Sequence, residues 1–368
     1  MTSKHRSGPC SVLITGGAGF VGANLAARLL ESGERVRLLD SLSRPGSGEN
    51  IAWLKERYPK QLEFVQADIR KPSALTAALA GVEHVVHLAA QVAVTRSLVN
   101  PAFDFDVNAF GTLNVLEAVR RCANPPSLLF TSTNKVYGVL SDLPVQVDEK
   151  RYVPVNEGVR ARGIDESRAL DFHSPYGCSK GAAEQYVLDY SRSYGMQTVV
   201  FRMSCIYGPH QHGNEDQGWV AHMARSALAG EPITIYGDGM QVRDVLFVED
   251  LVDAFALARR HIGELSGRAF NIGGGPGNTV SLLELLGRLE VMFKRRVLID
   301  FDSWRVGDQR YYVSDTSRFS MATGWRPQTR IAQGLTAMCE WFKSAEAPVT
   351  HKARSPLQTP AAPVGAPQ

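Results

Sequence analysis

The sequence predicts an α/β fold: a doubly wound parallel sheet followed by a smaller α/β domain. Three observations lead there. Short apolar runs alternate with helical patterns from residue 11 to about 203, and a glycine-rich turn joins the first strand to the first helix. Beyond about residue 204 the rhythm loosens, with glycines and prolines gathered around 207–218 and 231–239. Strands that alternate with helices build a parallel sheet covered on both faces, whose ligands sit at the carboxyl ends of the strands.

Taken in order, Ser11–Thr15 reads as a buried strand and Gly19–Glu31 as a helix with Gly33 just past its end. Arg35–Asp40, Leu62–Gln66 and His84–Leu88 continue as strands. A long helix is expected from about Pro101 to Cys122, then a strand over Ser127–Ser132. Ser174 suits an N-cap with Pro175 at the first helical position, opening a helix to about Tyr194. Gln197–Met203 closes a first domain spanning 11–203. Shorter helices at about 216–229, 249–261 and 280–292 fill a domain over 204–345, some of whose segments are expected to return to the large sheet. Residues 1–10 and 346–368 read as disordered tails, the second rich in Pro, Ala and small polar residues.

Apolar residues make up 44% of the 368-residue chain and charged residues 21%, values ordinary for a globular protein. A formal net charge of +3 points to neither a nucleic-acid nor a membrane partner. Cys10, Cys122, Cys178, Cys205 and Cys339 are scattered, odd in number and free of any C-x-x-C pair, so no disulfide framework or metal site is expected. The first ten residues are polar and basic with no apolar h-region behind them, and no stretch approaches the length of a membrane span. A cytoplasmic protein is expected.

The turn Thr15-Gly16-Gly17-Ala18-Gly19-Phe20-Val21-Gly22 sits between strand and helix. Glycines there let the chain turn sharply and let backbone N–H groups approach a pyrophosphate resting on the helix N-terminus. Such a turn alone is weak evidence. Asp40 strengthens it: the residue ends the next strand, 18 residues beyond Gly22, where a carboxylate accepts hydrogen bonds from an adenosine ribose. Negative charge there favours NAD over NADP, with Arg44 a nearby cation that softens the preference and Ser43 beside it. Asp68 and Ile69 after the third strand are candidate adenine contacts, and Leu88, Ala89 and Ala90 after the fourth are candidates to flank the cofactor. The fold expected is therefore of the Rossmann type.

A second constellation is Tyr176-Gly177-Cys178-Ser179-Lys180, whose spacing puts Tyr176 and Lys180 on one helical face. A phenol ionises near pH 10, so it acts as a base near neutrality only where its anion gains about 4–5 kcal/mol. An adjacent ammonium and a positive nicotinamide ring stabilise that anion in a partly desolvated site. Ser132 and Thr133 end an earlier strand and complete the set.

On Thr15–Gly22, His87-Leu88-Ala89-Ala90, Tyr176/Lys180 and Arg243-Asp244-Val245, the chain resembles the extended short-chain dehydrogenase/reductases that process nucleotide sugars, over roughly residues 11–345. The resemblance implies Tyr176 as general base and acid, Lys180 as the group that orients the nicotinamide ribose and lowers the Tyr176 pKa, and Ser132 or Thr133 as hydrogen-bond partner of the reacting hydroxyl. It also implies a homodimer or homotetramer paired through the helices around 101–122 and 176–194. Arg243, Arg305 and Arg310 are implied to grip the nucleotide diphosphate, which suits forked guanidinium donors. A salt bridge to Asp244 or Asp308 is the plainer alternative. His173 and His210 are assigned no role.

The family's 4,6-dehydratases carry an Asp-Glu pair directly after the Thr; here Asn134-Lys135 stands in its place, without the carboxylates that elimination of water needs. Ser132-Thr133-Asn134-Lys135-Val136-Tyr137-Gly138, Asp171–Gly181 and Asp216-Gln217-Gly218-Trp219-Val220 instead resemble the CDP-paratose 2-epimerases, also called CDP-tyvelose epimerases. Pro209–Asn214 fits their pattern less well. The resemblance implies hydride removal from C2 of the sugar of a CDP-deoxysugar, a transient ketone and hydride return, with Asn134 near the substrate. A nucleotide-sugar 4-epimerase, another NAD-dependent sugar-nucleotide enzyme, and a non-catalytic NAD-sensing regulator stay open as alternatives.

Overall fold

The computed structural model describes residues 11–346, so the expected tails lie outside the described residues except for Glu346, which ends the last helix. Seven strands form one sheet in the order Arg268–Ile272, Thr198–Met203, Ser127–Thr133, His84–His87, Val12–Thr15, Val36–Asp40, Leu62–Gln66. Every neighbouring pair is parallel. The chain order reverses between the first and fourth strands, and there the carboxyl ends of Val12–Thr15 and His84–His87 open onto a crevice.

Alternation along each strand builds two cores. Val12, Ile14, Leu38 and Phe201 face the helices Phe20–Glu31 and Val248–Arg260, while Leu13, Leu128, Phe130 and Val200 face Gly111–Arg120 and Ser174–Tyr194. The first strand is buried on both faces, which explains its unbroken apolar run.

Differences from the sequence reading are local. The helix expected from Pro101 to Cys122 ends at Arg120 and carries one wide turn over Asp106–Phe110 between its α-helical halves. Asn108 within that turn bonds the backbone of Gln91 and the side chains of Asp104 and Ser179, so a buried polar network holds the wide turn. Ser174 takes a left-handed φ of 66° and its hydroxyl accepts from the Gly177 N–H at 3.3 Å, so it caps the helix that carries Tyr176.

Residues 204–346 divide their packing. Arg268–Ile272 completes the large sheet, and Leu251, Phe255, Phe319 and Trp325 join its core. The rest form a second core around Val220, Ile233, Leu285 and Met338, with a sheet in which Val242–Phe247 pairs Thr279–Ser281, Tyr311–Tyr312 and Cys205–Tyr207.

One buried ion pair ties the catalytic-side helix to the sheet. Arg202 reaches Glu184 at 2.5 Å, with the carboxylate fully enclosed. Glu184 also accepts from Ser132 at 2.6 Å, and Arg202 donates to Tyr137 at 2.9 Å, which bonds Asn271 at 2.7 Å. Removing one partner of a buried pair costs about 3–5 kcal/mol, whereas replacing both with apolar groups costs far less. Arg202→Met is expected to lose about that much stability in urea denaturation, and adding Glu184→Met to recover most of it. Equal losses in the single and double variants would contradict this account of the pair.

Candidate active site

The glycine turn closes on the neighbouring strand. Gly16 adopts φ 69°, and a Cβ there would lie 2.7 Å from the Ala89 backbone nitrogen; one on Gly22 would lie 2.5 Å from the Gly16 carbonyl. Both glycines are required by close backbone approach. The helix Phe20–Glu31 starts at Gly19 without a side-chain cap, so its N-terminal N–H groups face the crevice. Asp40 accepts from Ala18 N–H at 3.0 Å and Leu42 N–H at 2.8 Å, one on each oxygen, leaving acceptor capacity on both. Burial raises the Asp40 pKa, and those two N–H groups oppose the rise. This cradle fits a dinucleotide.

A cleft of about 960 Å³ runs along the strand ends, at the upper end of ligand-pocket sizes. Gly16, Gly19, Phe20, Val21 and Gly22 line one side with Asp40, Ser43 and Arg44. Asp68, Ile69, Leu88, Ala89 and Ala90 follow. The Asp68 carboxylate is engaged by Arg70 at 2.6 Å, which lowers its pKa and leaves Ile69, buried, to offer the apolar contact. Arg44 spans the cleft to the side chain of Gln217; burial lowers its pKa, and Arg96 adds to the effect.

Ser132, Thr133, Tyr176 and Lys180 gather at the far end. Adjacent strand residues point to opposite faces, and the two hydroxyls separate accordingly. Ser132 turns back to Glu184, while Thr133 comes within hydrogen-bonding reach of the Tyr176 phenol. Thr133, not Ser132, therefore faces the Tyr176 phenol. The Tyr176 backbone N–H bonds Ser97 at 3.2 Å. Burial pushes the phenol up to about 12, with Thr133 opposing. The expectation that Lys180 lowers this pKa is corrected: the charges that act on Tyr176 are Asp104, raising it, and Arg44, lowering it. The Lys180 ammonium sits 4.1 Å over the Phe130 ring, and burial lowers it to about 7, against Glu184 and Asp104.

A second cleft joins the first at Asn134, Lys135 and Gln217. Arg243 and Arg305 line it; Arg310 does not, being exposed and stacked over Tyr152 at 5.5 Å. The expected diphosphate contact from Arg310 is thus corrected, because its side chain stacks on Tyr152 outside the cleft. Arg243 is buried and bonds Asp308 at 2.6 Å, so it is neither a surface pair nor a partner of Asp244, whose carboxylate holds Ser204 and the Gly275 N–H. Arg305 stacks on Tyr236 at 3.8 Å and donates to the Glu215 carbonyl at 2.8 Å. Asn134 reaches Gln309 at 3.4 Å, and Gln309 donates to the Gly138 carbonyl at 2.6 Å, docking the 303–310 loop onto the Asn134–Tyr137 turn.

Sequence reasoning missed several cleft residues. Lys135 was visible only as a missing carboxylate, and Asp308 only as a possible partner of an arginine. Gln217 meets Arg44 across 173 residues, a contact no local signal carries. His210 stacks on Trp53 at 3.9 Å and approaches Trp341 at 5.2 Å, which makes it part of an aromatic seam at the cleft rim. Half-buried His173 pairs with Asp171 at 3.0 Å.

Lys180 provides a pH signature. The unfolded chain keeps its proton to about 10.5, whereas the folded protein sheds it above about 7. Across that window the unfolded state binds more protons, so this lysine makes stability rise with pH. Urea denaturation of the cofactor-free protein from pH 7 to 10 is expected to show that rise, and Lys180→Met to remove it; identical pH slopes in the two proteins would contradict the burial of a titrating ammonium.

Residues 12–273 match the NAD dependent epimerase/dehydratase family. The chain is 42% identical to CDP-paratose 2-epimerase of Salmonella typhi, over 90% of this chain and 99% of that protein. It is 34% identical to UDP-glucose 4-epimerase of Mycolicibacterium smegmatis, over 90% and 98%. The structure resembles UDP-glucuronic acid 4-epimerase from Bacillus cereus, solved with UDP-glucuronic acid and NAD, with a TM-score of 0.78 and 25% identity over 91% of this chain and 99% of that one. Glycine cradle, acidic strand end and buried Thr133–Tyr176–Lys180 group agree with these likenesses: the chain belongs to the NAD dependent epimerase/dehydratase family.

Proposed function

We propose that the protein is a nucleotide-sugar epimerase that inverts C2 of a CDP-deoxysugar, converting a CDP-paratose-type substrate to its CDP-tyvelose-type epimer. The observation that carries this reading is the junction of the two clefts: Thr133, Tyr176 and Lys180 lie where the cofactor cleft meets one lined by Lys135, Arg243 and Arg305. A sugar held by its diphosphate in the second cleft reaches the first. The 42% identity to CDP-paratose 2-epimerase supports the choice of carbon and base.

Bound NAD supplies a hydride acceptor that gives back what it takes. Gly16, Gly19 and Gly22 receive its pyrophosphate and Asp40 its adenosine ribose. Tyr176 removes the proton of the sugar hydroxyl as the C–H bond breaks and returns it when the bond re-forms. Thr133 orients that hydroxyl, and Lys180 holds the nicotinamide ribose. With the phenol near 12 in the free protein, the reaction needs positive charge beside it, which an oxidised nicotinamide ring bound in the cleft would bring. Inversion requires the ketone to show its other face between the two transfers, so the diphosphate grip must outlast them. Asn134 and Lys135 leave the site without the carboxylate pair that eliminates water in the dehydratases.

The Asp106–Arg120 and Ser174–Tyr194 segments pack together and leave Phe110 and Tyr186 46% and 48% exposed, which supports pairing of two copies through these helices, as a dimer or within a tetramer. Among the described residues no helix is long and apolar enough to cross a membrane, and the four described cysteines are free. We read the setting as cytoplasmic.

Incubation with CDP-, UDP-, GDP- and dTDP-sugars, followed by NMR, is expected to show inversion at C2 of CDP-paratose. Inversion at C4 of a UDP-hexose instead would move the assignment to a 4-epimerase. Tyr176→Phe is expected to lose roughly 10²–10⁴-fold in rate while retaining NAD. Undiminished activity in that variant would favour an NAD-sensing regulator.

A further inference from the structure

The inner part of the second cleft holds a surplus of positive charge. Asp308 Oδ1 takes Arg243 at 2.6 Å and Lys135 at 3.5 Å, so two cations share one carboxylate oxygen. Arg305 does not add to that surplus, because Asp216, 3.7 Å away, and Glu215, which accepts from Tyr236 under the guanidinium, answer it at the rim. The Lys135 Nζ donates to the Gly307 carbonyl at 3.0 Å, and burial lowers its pKa, with Arg243 adding to the effect. An ammonium has three donors, and these two contacts leave one undirected. A buried surplus cation is costly unless an anion joins it.

The position of Lys135 selects the anion. The residue lines both clefts, and its backbone N–H bonds the Thr133 hydroxyl at 3.3 Å. The Asn134–Tyr137 turn holds it two residues from the group facing Tyr176, and Gln309 docks that turn to the loop carrying Asp308. We infer that Lys135 is a specificity-determining substrate contact, whose ammonium grips the phosphate next to the sugar and so sets how far the sugar enters toward Tyr176. Arg243 shares Asp308 with it, and arrival of the phosphate lets one carboxylate and one diphosphate divide the two cations. This rests on the reading of the second cleft as a sugar-nucleotide site.

Calorimetric titration tests it with CDP, CMP and cytidine, and in parallel with the corresponding uridine and thymidine ligands, on wild-type protein, Lys135→Met and Lys135→Arg. Loss of one charge-assisted contact corresponds to roughly ten- to hundredfold in Kd. Lys135→Met is expected to lose that much affinity for the diphosphate, less for the monophosphate and none for the nucleoside, and Lys135→Arg to keep most of it. A diphosphate Kd unchanged in Lys135→Met, or an equal loss for all three ligands, would overturn the assignment of Lys135 while leaving the cleft reading intact. Wild-type protein that binds no nucleoside diphosphate would overturn that reading itself.

Discussion

The buried pair between Glu184 and Arg202 is the interaction on which the site depends. Glu184 lies one helical turn beyond Lys180 and two beyond Tyr176, while Arg202 lies on the sheet strand next to the one that ends in Thr133. Their contact fixes the register of helix against sheet. It therefore sets where the phenol meets the Thr133 hydroxyl. Ser132 and Tyr137 complete the hydrogen bonding of the pair, so the charges are satisfied within the protein and the network is rigid.

In front of this fixed wall, burial drives two proton affinities apart. The Tyr176 phenol rises to about 12 and the Lys180 ammonium falls to about 7, in both cases chiefly because the charged form is desolvated. Neither group is set for proton transfer alone. An oxidised nicotinamide ring bound in the cleft would add the positive charge that favours the phenolate. Dependence on the bound cofactor for acid–base chemistry, as well as for hydride, suits a reaction that must not release a ketone midway.

Much of this was legible in the sequence because it rests on local rules. Gly16, Gly22 and Asp40 stand at positions where backbone approach and a strand end dictate residue type, and Tyr176 and Lys180 share a face by helical period alone. Val12–Thr15 follows from an uninterrupted apolar run buried on both faces, and the later strands to Met203 from short apolar stretches set between helical patterns. What was hidden depends on contacts distant in sequence. The choice between Ser132 and Thr133 needed Glu184, 52 residues away, to claim one hydroxyl. Arg310 misled because a basic cluster in sequence does not reveal which of its side chains line the cleft. Lys135 acquires meaning only beside Asp308 and Arg243, brought from another part of the chain.

The central claim is that one carbon loses its hydride and receives the same hydride back on its other face, within a single protein. Conversion of CDP-paratose in deuterium oxide, without added NAD, tests this most directly. An inverted C2 that carries no deuterium by NMR is expected, over many turnovers. Deuterium at the inverted carbon, or a reaction that stops until NAD is supplied, would contradict it.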